Sequence, residues 1–264
     1  MPKIWITGDM HGFINDATSA IAQCKNATDR DYLIVCGDFG AEYDGRIMGS
    51  FKKEFKNFPG KIIVLRGNHD DRYWEKHVEY RETYMEYLEE PLPGWDFIQK
   101  ESWTPHFLYQ KKYPNILYTR DEGDIIRIGE YNFLFLPGAY SIDKDYRLTK
   151  GYPYNPKEQL NHFEMNNLIN KLEYFLLNDN IDFVISHTFP LSWEPAYTWL
   201  FLDSIDQSKV DKNTEKFLDE IEKILYNDYI HWFGGHFHYD MVINEKATML
   251  FNKVVEIGEY CRER

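Results

Sequence analysis

Cysteine is scarce in this sequence of 264 residues: it has three, and none of them stands in a Cys-x-x-Cys pair. An odd number without that spacing excludes a disulfide framework and a thiolate metal site, and it favours a reducing compartment. Long apolar runs are also missing, since no stretch approaches the roughly 18 residues that cross a bilayer. The first apolar run, residues 3–7, begins without a charged and apolar leader before it. We therefore expect a soluble cytoplasmic protein that does not associate with a membrane.

Basic residues are also in deficit: 30 Lys and Arg stand against 43 Asp and Glu, a formal net charge of −13 at pH 7. This balance disfavours sequence-independent binding of duplex DNA, although bound metal ions can reverse the charge locally. The one local group of basic residues is Lys52, Lys53, Lys56 and Lys61. Their spacing predicts the solvated face of a helix rather than a nucleic-acid groove.

The apolar content favours a single folded unit. Hydrophobic residues make up 43% of the chain and aromatic residues 17%, which is enough to bury a large core without disulfides. We find no internal repeat and no low-complexity linker. The sequence therefore predicts one compact domain over residues 1–264, with insertions near 72–113 and 188–208.

Short apolar runs recur along the chain, and polar side chains follow directly after them. Runs that are apolar nearly throughout are typical of strands buried on both faces. Open α/β sheets bind their ligands at the carboxyl ends of such strands. Five segments stand at these ends: Gly8-Asp-Met-His-Gly12, Gly37-Asp-Phe-Gly40, Gly67-Asn-His-Asp70, His187 and Gly234-Gly-His-Phe-His238.

Apolar residues at helical spacing separate several of these runs. They predict helices near residues 47–58, 160–175 and 217–225. The second helix is expected to begin at Asn155, because Asn155 can cap it and Glu158 can reach back to the cap backbone.

Two further segments are rich in aromatic residues. Residues 73–90 carry four tyrosines and a histidine on one side of a helical pattern and end at Pro-Leu-Pro-Gly, which predicts a fourth helix. Residues 95–113 show no clean periodicity. They form either an insertion over the strand ends or a packed surface layer, and packing is favoured.

The residues at the strand ends are potential metal ligands. Asp9 and His11 are two apart, so in extended backbone both side chains lie on one face and can bind one cation. Each segment alone is equally typical of a capping Asp or a hydrogen-bonded core His. Taken together, however, five of the nine histidines stand at strand ends with Asp9, Asp38 and Asn68. Mixed carboxylate, amide and imidazole ligands suit divalent Mn, Fe, Ni or Zn.

In this order, the five segments resemble the calcineurin-like metallophosphoesterase superfamily, and they span nearly the whole chain. The resemblance implies an α/β fold, a four-layer α/β/β/α sandwich of two mixed sheets flanked by helices. It also implies a hydrolase of phosphoric ester bonds that acts through a hydroxide bridging two divalent metal ions. Manganese is the preferred metal, with iron, zinc and nickel as alternatives.

The resemblance also implies a role for each matched residue. The implied ligands of the first metal are Asp9, His11, Asp38 and His238. The implied ligands of the second metal are Asp38, which bridges, Asn68, His187 and His236. His69 matches the family position that contacts the phosphate and protonates the leaving oxygen.

One part of the family pattern is missing. Ser/Thr protein phosphatases extend the second segment to Gly-Asp-x-Val-Asp-Arg-Gly, whereas Ala41 stands here at the second Asp and the arginine is absent. The carboxylate that orients His69 must then come from elsewhere, and Glu42, Asp44 and Asp70 are candidates. The closing Gly-His-x-His resembles the branch of phosphodiesterases, nucleases and small-molecule phosphatases. Both differences favour a phosphodiester or a small phosphate ester over a phosphoprotein.

Substrate contacts are marked only by residue type and position. Arg72 and Arg147 are candidate phosphate contacts, because a guanidinium binds two phosphate oxygens at once. Tyr140 follows a predicted strand and is a candidate for stacking on a base. Each also has an ordinary interpretation as an ion-pair partner or a packed aromatic residue.

The expected function is therefore a metal-dependent phosphoesterase acting on a nucleotide or another small phosphate ester. A Ser/Thr protein phosphatase and a nuclease are alternatives, although nucleic acid is not a favoured partner. An alternative of another class is a non-catalytic metal-binding scaffold. The oligomeric state is left open.

Overall fold

The computed structural model describes residues 1–43, 46–82, 87–98 and 106–261. The strands are β1 (Ile4–Thr7), β2 (Tyr32–Val35), β3 (Glu42–Tyr43), β4 (Arg46–Ile47), β5 (Lys61–Val64), β6 (Val78–Glu82), β7 (Tyr87–Pro91), β8 (Trp95–Ile98), β9 (Phe107–Gln110), β10 (Ile116–Tyr118), β11 (Asp124–Ile128), β12 (Tyr131–Leu136), β13 (Phe183–Ser186), β14 (His231–Gly234), β15 (Met241–Asn244), β16 (Ala247–Met249) and β17 (Val255–Glu256). The α-helices are α1 (Ile14–Gln23), α2 (Gly49–Glu54), α3 (Tyr73–His77), α4 (Lys144–Lys150), α5 (His162–Leu176) and α6 (Asn213–Leu225). Short 3-10 helices lie at Phe55–Asn57, Leu191–Ala196, Thr198–Leu200, Gln207–Lys209 and Ile257–Glu259.

Two mixed sheets form the centre of the molecule. The first has the strand order β17-β1-β2-β5-β10-β9-β8, and the second has the order β11-β12-β13-β14-β16-β15. In each sheet the four central strands are parallel and the outer strands are antiparallel. The expectation of two mixed sheets is confirmed.

The strands are buried on both faces, and this places the helices outside the pair of sheets. In β1, Ile4 and Ile6 belong to the core between the sheets, whereas Trp5 belongs to the core under α1 and α2. In the second sheet, Leu134 packs in a third core with residues of α5 and α6, whereas Phe133 and Phe135 face the first sheet. The layers therefore run helix, sheet, sheet, helix, as expected.

The helix near 160–175 begins later than predicted. Its N-cap is Asn161, whose side chain accepts hydrogen bonds from the backbone of Phe163 and Glu164 at 2.9 and 3.0 Å. Glu164 Oε2 accepts from the Asn161 backbone in return, at 2.9 Å, which completes a capping box. The predicted start at Asn155 is wrong, although the helices near 47–58 and 217–225 are confirmed as α2 with its following 3-10 turn and as α6.

The predicted helix over 73–90 is also wrong beyond its first turn. After the five residues of α3, the chain forms an antiparallel ribbon of β6 and β7, and residues 83–86 lie outside the described residues. Within 95–113, β8 and β9 extend the edge of the first sheet, and Trp95 and Leu108 are buried in its outer core. For the described residues of 95–113, the predicted packing against the rest of the protein is therefore confirmed.

The division into one domain with insertions near 72–113 and 188–208 stays a prediction. Among the helices that the structure describes, none combines the length and the apolar character needed to cross a membrane.

Candidate metal centre

The strand order brings the five polar segments to one edge of the molecule. Asp9, Asp38 and Asn68 follow β1, β2 and β5, which are parallel neighbours in the first sheet. His187 follows β13 directly, and His236 follows β14, its parallel neighbour in the second sheet. Because the carboxyl ends of parallel strands meet at one edge, side chains from both sheets converge there. We call these seven residues the ligand cluster: Asp9, His11, Asp38, Asn68, His187, His236 and His238.

One half of the ligand cluster lies around Asp9. The Nε2 atoms of His11 and His238 are 2.8 Å apart. Asp9 Oδ2 lies 3.3 Å from His238 Nε2 and 3.8 Å from His11 Nε2. These three residues form a compact group with the donor set of a divalent metal site.

The other half lies around Asn68. Its Oδ1 is 2.7 Å from His187 Nε2 and 3.1 Å from His236 Nδ1. Asp38 lies between the two halves, because its Oδ1 is 3.5 Å from His187 Nε2 and its Oδ2 is 3.9 Å from His11 Nε2. Asp38 is thus placed to contribute to both halves.

The donor set fits divalent metal ions. Metal–nitrogen and metal–oxygen bonds of about 2.0–2.2 Å place neighbouring ligand atoms about 3 to 3.5 Å apart. The separations in the cluster, from 2.7 to 3.9 Å, surround that range. Lone pairs that face each other this closely, as on the imidazoles of His11 and His238, are repulsive unless a proton or a cation lies between them. Of the residues the sequence predicted as ligands, the structure brings all seven together.

Electrostatics couples the two halves. Burial by itself raises the pKa of Asp38, but the neighbouring His187, His69 and His11 outweigh it and hold that pKa well below its ordinary value. Burial by itself lowers the pKa of His187, but the charges of Asp38 and Asp9 outweigh burial and raise that pKa to about 9. The charge of Asp38 therefore acts on imidazoles of both halves.

Four of the seven cluster residues have a left-handed backbone. The φ angles are 48° at His11, 46° at Asp38, 72° at His236 and 50° at His238. This conformation costs a residue with a Cβ atom about 1–2 kcal/mol. Such strain is typical of functional sites, where the surrounding structure holds it in place.

Two glycines allow the close approach of the segments. A Cβ atom on Gly37, which has a φ of 100°, would lie 2.2 Å from Nδ1 of His187. A Cβ atom on Gly235 would lie 2.1 Å from Oδ1 of Asp9. Any other residue at either position would push the two sheets apart at the ligand cluster.

His69 lies beside the cluster. Its backbone N–H donates to Asp38 Oδ1 at 2.7 Å, and the edge of Tyr43 packs against its ring with 5.6 Å between centroids. Its Nδ1 is buried and has no hydrogen-bond partner in the described part of the chain. Burial lowers the pKa of His69, while the charge of Asp38 opposes that shift.

Of the three carboxylates proposed to orient His69, the two that the structure describes have other partners. Asp70 accepts backbone hydrogen bonds from Phe39, Gly40 and Gly67 at 3.1, 2.8 and 3.0 Å, so it joins two ligand-bearing loops. Burial, together with the nearby Asp38, raises its pKa to about 7. Glu42 pairs instead with Lys52 at 2.7 Å. Asp44 lies outside the described residues.

Two residues behind the cluster, Ser141 and Glu158, were not predicted from the sequence as part of the site. Asn68 Nδ2 donates to Ser141 Oγ at 2.9 Å, and Ser141 Oγ donates to Glu158 Oε2 at 2.5 Å. Glu158 also accepts from the Ser141 backbone at 2.9 Å, and both residues are buried. This series of hydrogen bonds turns the side-chain carbonyl oxygen of Asn68 toward His187. Glu158 gave no distinct signal in the sequence, because Asn155-x-x-Glu158 is indistinguishable from a helix-capping pattern.

The three residues predicted to contact the substrate differ in their positions relative to the ligand cluster. Arg72 pairs with Glu164 and donates to the Lys157 carbonyl at 3.4 Å, so the structure does not bring it to the cluster. Arg147 lies closer to His69, where its charge lowers the His69 pKa, and its Nε donates to Asp143 at 2.7 Å. Tyr140 lines a cavity of about 380 Å³ together with His69.

The geometry agrees with the family model that matches the sequence. A family model described as calcineurin-like phosphoesterase matches residues 2–240. Among solved structures, a phosphopantetheinyl hydrolase from Mycobacterium tuberculosis is 15% identical, with 95% of this chain and 88% of that chain covered and a TM-score of 0.48. A protein of unknown function from Aquifex aeolicus is 12% identical, with 98% and 97% covered and a TM-score of 0.41. No curated protein matches the sequence.

Proposed function

The chain belongs to the calcineurin-like phosphoesterase family, and from this premise we propose that it hydrolyses phosphodiesters or small phosphate esters with two divalent metal ions as cofactors. Its broader class, a hydrolase of phosphoric ester bonds, follows from the family. The observation that carries the proposal is the convergence of seven carboxylate, amide and imidazole side chains at one edge of both sheets.

The ligand cluster divides into two overlapping groups. The ligands of the first metal would be Asp9, His11, Asp38 and His238, and those of the second would be Asp38, Asn68, His187 and His236. The position of Asp38 supports this division, because one of its oxygens lies near His11 and the other near His187. The mixture of oxygen and nitrogen donors favours manganese, with iron, zinc or nickel as alternatives.

When bound, two such cations neutralise phosphate oxygens and lower the pKa of a water molecule, so that it can attack phosphorus near neutral pH. The chain's own residues keep the ligands in place. His187 Nδ1 lies 2.8 Å from the Cys36 carbonyl, which fixes the orientation of its ring and leaves Nε2 for the cluster. The Ser141 and Glu158 pair fixes the Asn68 amide in the same way.

His69 is the proposed proton donor to the leaving oxygen. It lines the cavity with Asp38 and Asn68, so a phosphate held by the cluster would lie within reach of its imidazole. The hydrogen bond from its backbone to Asp38 keeps its distance from the cluster constant. Proton transfer by a positioned imidazole contributes about 10² to 10⁴-fold to a rate.

The proposed substrate class is supported by the residues that stand where protein phosphatases have their Asp-Arg pair. Ala41 is buried where protein phosphatases have an Asp, and no Arg follows it. The next carboxylate, Glu42, is engaged with Lys52. These features disfavour a phosphoprotein, and the net charge of −13 disfavours nucleic acid.

The test compares bis-p-nitrophenyl phosphate with p-nitrophenyl phosphate, with and without added Mn²⁺. The variants are Asp38→Asn and His69→Ala, with Asp179→Asn at an exposed position as the matched control. We expect Mn²⁺-dependent turnover that is lost in Asp38→Asn, reduced about 10² to 10⁴-fold in His69→Ala, and unchanged in Asp179→Asn. Absence of Mn²⁺-dependent turnover of both esters, in protein shown to bind Mn²⁺, would contradict the proposal.

A further inference from the structure

The cavity beside the ligand cluster has two chemically different sides. Its volume is about 380 Å³, which is within the range of small-molecule sites. One side is lined by Asp38, Asn68 and His69, where the phosphate of a substrate would lie. The other side is formed by the segments after β13 and β14 and by the beginning of α6. Only the first side is used by the hydrolysis itself.

The second side is mostly apolar. Its apolar lining residues are Leu200, Phe201, Leu202, Ile205, Val210 and Phe237. Phe237 stands between two cluster histidines, and its ring packs on Tyr197 at 4.8 Å and on Phe201 at 6.1 Å between centroids. The apolar wall is therefore continuous with the ligand cluster. None of its residues is fully buried, so a bound apolar group would remove further surface from water.

A buried carboxyl group lies in the same cavity wall. Glu215, in the first turn of α6, is only 4% exposed and lines the cavity. Its Oε1 accepts a hydrogen bond from Thr188 Oγ1 at 3.4 Å, but its Oε2 has no partner among the residues described. Burial raises its pKa to about 7. A buried oxygen without a partner is unfavourable, so a hydrogen-bonding group on a ligand would relieve it.

Lys212, a cationic residue in the lining of this side, is already engaged. Lys212 Nζ donates to Glu194 at 3.2 Å and lies 5.0 Å from the centre of the Phe201 ring. Glu215 adds a carboxyl group to this side of the lining. This side of the cavity therefore disfavours a second phosphate or any other anionic group.

We propose that the cavity binds the organic group of the phosphate ester, and that this group is an uncharged, largely apolar chain with a hydroxyl or amide that hydrogen-bonds to Glu215. The inference rests on the proposed function, because the phosphate must lie at the ligand cluster for the chain to reach this wall. Such a cavity favours esters of this kind over polyphosphorylated nucleotides.

The first test varies only the organic group. Methyl, hexyl and 6-hydroxyhexyl esters of p-nitrophenyl phosphate share one leaving group, so differences in KM report on the binding of the alkyl chain. If the enzyme hydrolyses only monoesters, methyl, hexyl and 6-hydroxyhexyl phosphate are compared by phosphate release. We expect KM to fall at least about tenfold from methyl to hexyl and about fivefold more with the hydroxyl.

Two variants locate these preferences. Leu202→Ser should raise KM for the hexyl ester by a larger factor than for the methyl ester; Leu202 is 56% exposed, so the fold should tolerate the change. Leu177→Ser, at a 75% exposed position away from the cavity, is its control. Glu215→Ala should remove the preference for the hydroxyl, whereas Glu220→Ala, on the exposed side of α6, should retain it. This last readout is a ratio of two substrates, so partial unfolding does not change it.

The outcomes distinguish this inference from the proposed function. Turnover of the methyl ester with a KM that is independent of chain length overturns the inference and leaves the proposed function standing. If no ester is hydrolysed, binding of hexylphosphonate and methylphosphonate to the Mn²⁺-loaded protein is compared by calorimetry. Tighter binding of hexylphosphonate that is lost in Leu202→Ser supports the cavity assignment, and equal binding of the two overturns it.

Discussion

Two of the buried groups of charged residues in this fold are built in opposite ways. In the first, the Glu42 cluster, each carboxylate oxygen faces a cationic or donor group: Oε1 lies 2.7 Å from Lys52, and Oε2 lies 3.2 Å from Lys76 and 2.9 Å from His77. In the ligand cluster, carboxylate, amide and imidazole lone pairs face one another instead.

The difference separates a structural cluster from a binding site. The Glu42 cluster contains its own cations, so it is complete and has no need of a ligand. Burial raises the pKa of Glu42, but the hydrogen bond with His77 and the charge of Lys52 outweigh it and lower that pKa to about 2. The ligand cluster is complete only when cations from solution, or protons, separate its acceptors.

The largest expected effect comes from removing the carboxylate shared by both halves of the ligand cluster. Asp38→Asn should lower kcat for Mn²⁺-dependent ester hydrolysis by at least about 10³-fold, or about 4 kcal/mol. The free energy of unfolding should fall by no more than about 1 kcal/mol, because the amide still accepts the His69 hydrogen bond. Initial rates and urea unfolding measure the two quantities. A variant that keeps a tenth of the activity would contradict the bridging role.

Replacing the carboxylate of the Glu42 cluster by an amide should lower stability and leave activity unchanged, which is the opposite of the result expected for Asp38→Asn. Glu42→Gln leaves Lys52 buried without its counterion, which should lower the free energy of unfolding by about 3–5 kcal/mol. Turnover per folded molecule should stay unchanged. Urea unfolding and initial rates below the melting temperature test this, and a loss below about 1 kcal/mol would contradict the comparison.

The effect of Glu42→Gln should also depend on pH. The folded-state pKa of Glu42 is lowered from 4.5 to about 2. Its contribution to stability is therefore fully present above pH 4.5 and is lost as the pH falls toward 2. The difference in unfolding free energy between wild type and Glu42→Gln should shrink over that interval. A difference that stays constant from pH 6 to about pH 2 would rule out ionic pairing as its source.

Metal binding gives a smaller effect that also separates the clusters. Mn²⁺ at 100 times its dissociation constant should raise the free energy of unfolding of the wild type by about 2.7 kcal/mol. Glu42→Gln should show the same increment, whereas Asp38→Asn should show much less. Thermal unfolding with Mn²⁺ and with a chelator measures the increments. Equal increments in all three proteins would mean that Mn²⁺ binds elsewhere.

The smallest expected effect concerns the residues behind the ligand cluster. Ser141→Ala removes the acceptor that fixes the Asn68 amide, so Mn²⁺ affinity should fall by about 10- to 100-fold. Ser19→Ala, on the exposed side of α1, is the matched control. Calorimetric titration measures both. Unchanged affinity in Ser141→Ala would show that Asn68 needs no such support.

The approach of the ligand residues to one another could be predicted from the sequence, because each follows a strand-like run and parallel strands end at a common edge. The Glu42 cluster could not. Lys52 was predicted on a solvated helix face, yet it is fully buried, because Glu42 ten residues earlier supplies its counterion. Nothing in the local pattern of lysines distinguishes Lys52 from Lys53, which is exposed.

Two further predictions were wrong for the same reason, because contacts between residues distant in sequence decided the structure. Asn155-x-x-Glu158 and Asn161-x-x-Glu164 are equivalent as capping patterns, but Ser141 engages Glu158 and only the second pair caps α5. Residues 73–90 have a helical pattern, but beyond α3 the described residues pair as the ribbon of β6 and β7.

That ribbon is held by a residue outside it. Arg120 donates to both oxygens of Glu89 at 2.9 and 2.6 Å and packs over Trp74 at 4.3 Å. Local periodicity carries no information about such a partner, 31 residues away along the chain.

The most direct test of the central claim is calorimetric titration of Mn²⁺ into metal-stripped protein. We expect two Mn²⁺ ions per chain in the wild type and in Glu42→Gln, and fewer in Asp38→Asn. Absence of binding in the wild type, or two ions that still bind to Asp38→Asn, would contradict the claim that the facing acceptors of the ligand cluster form a dinuclear metal site.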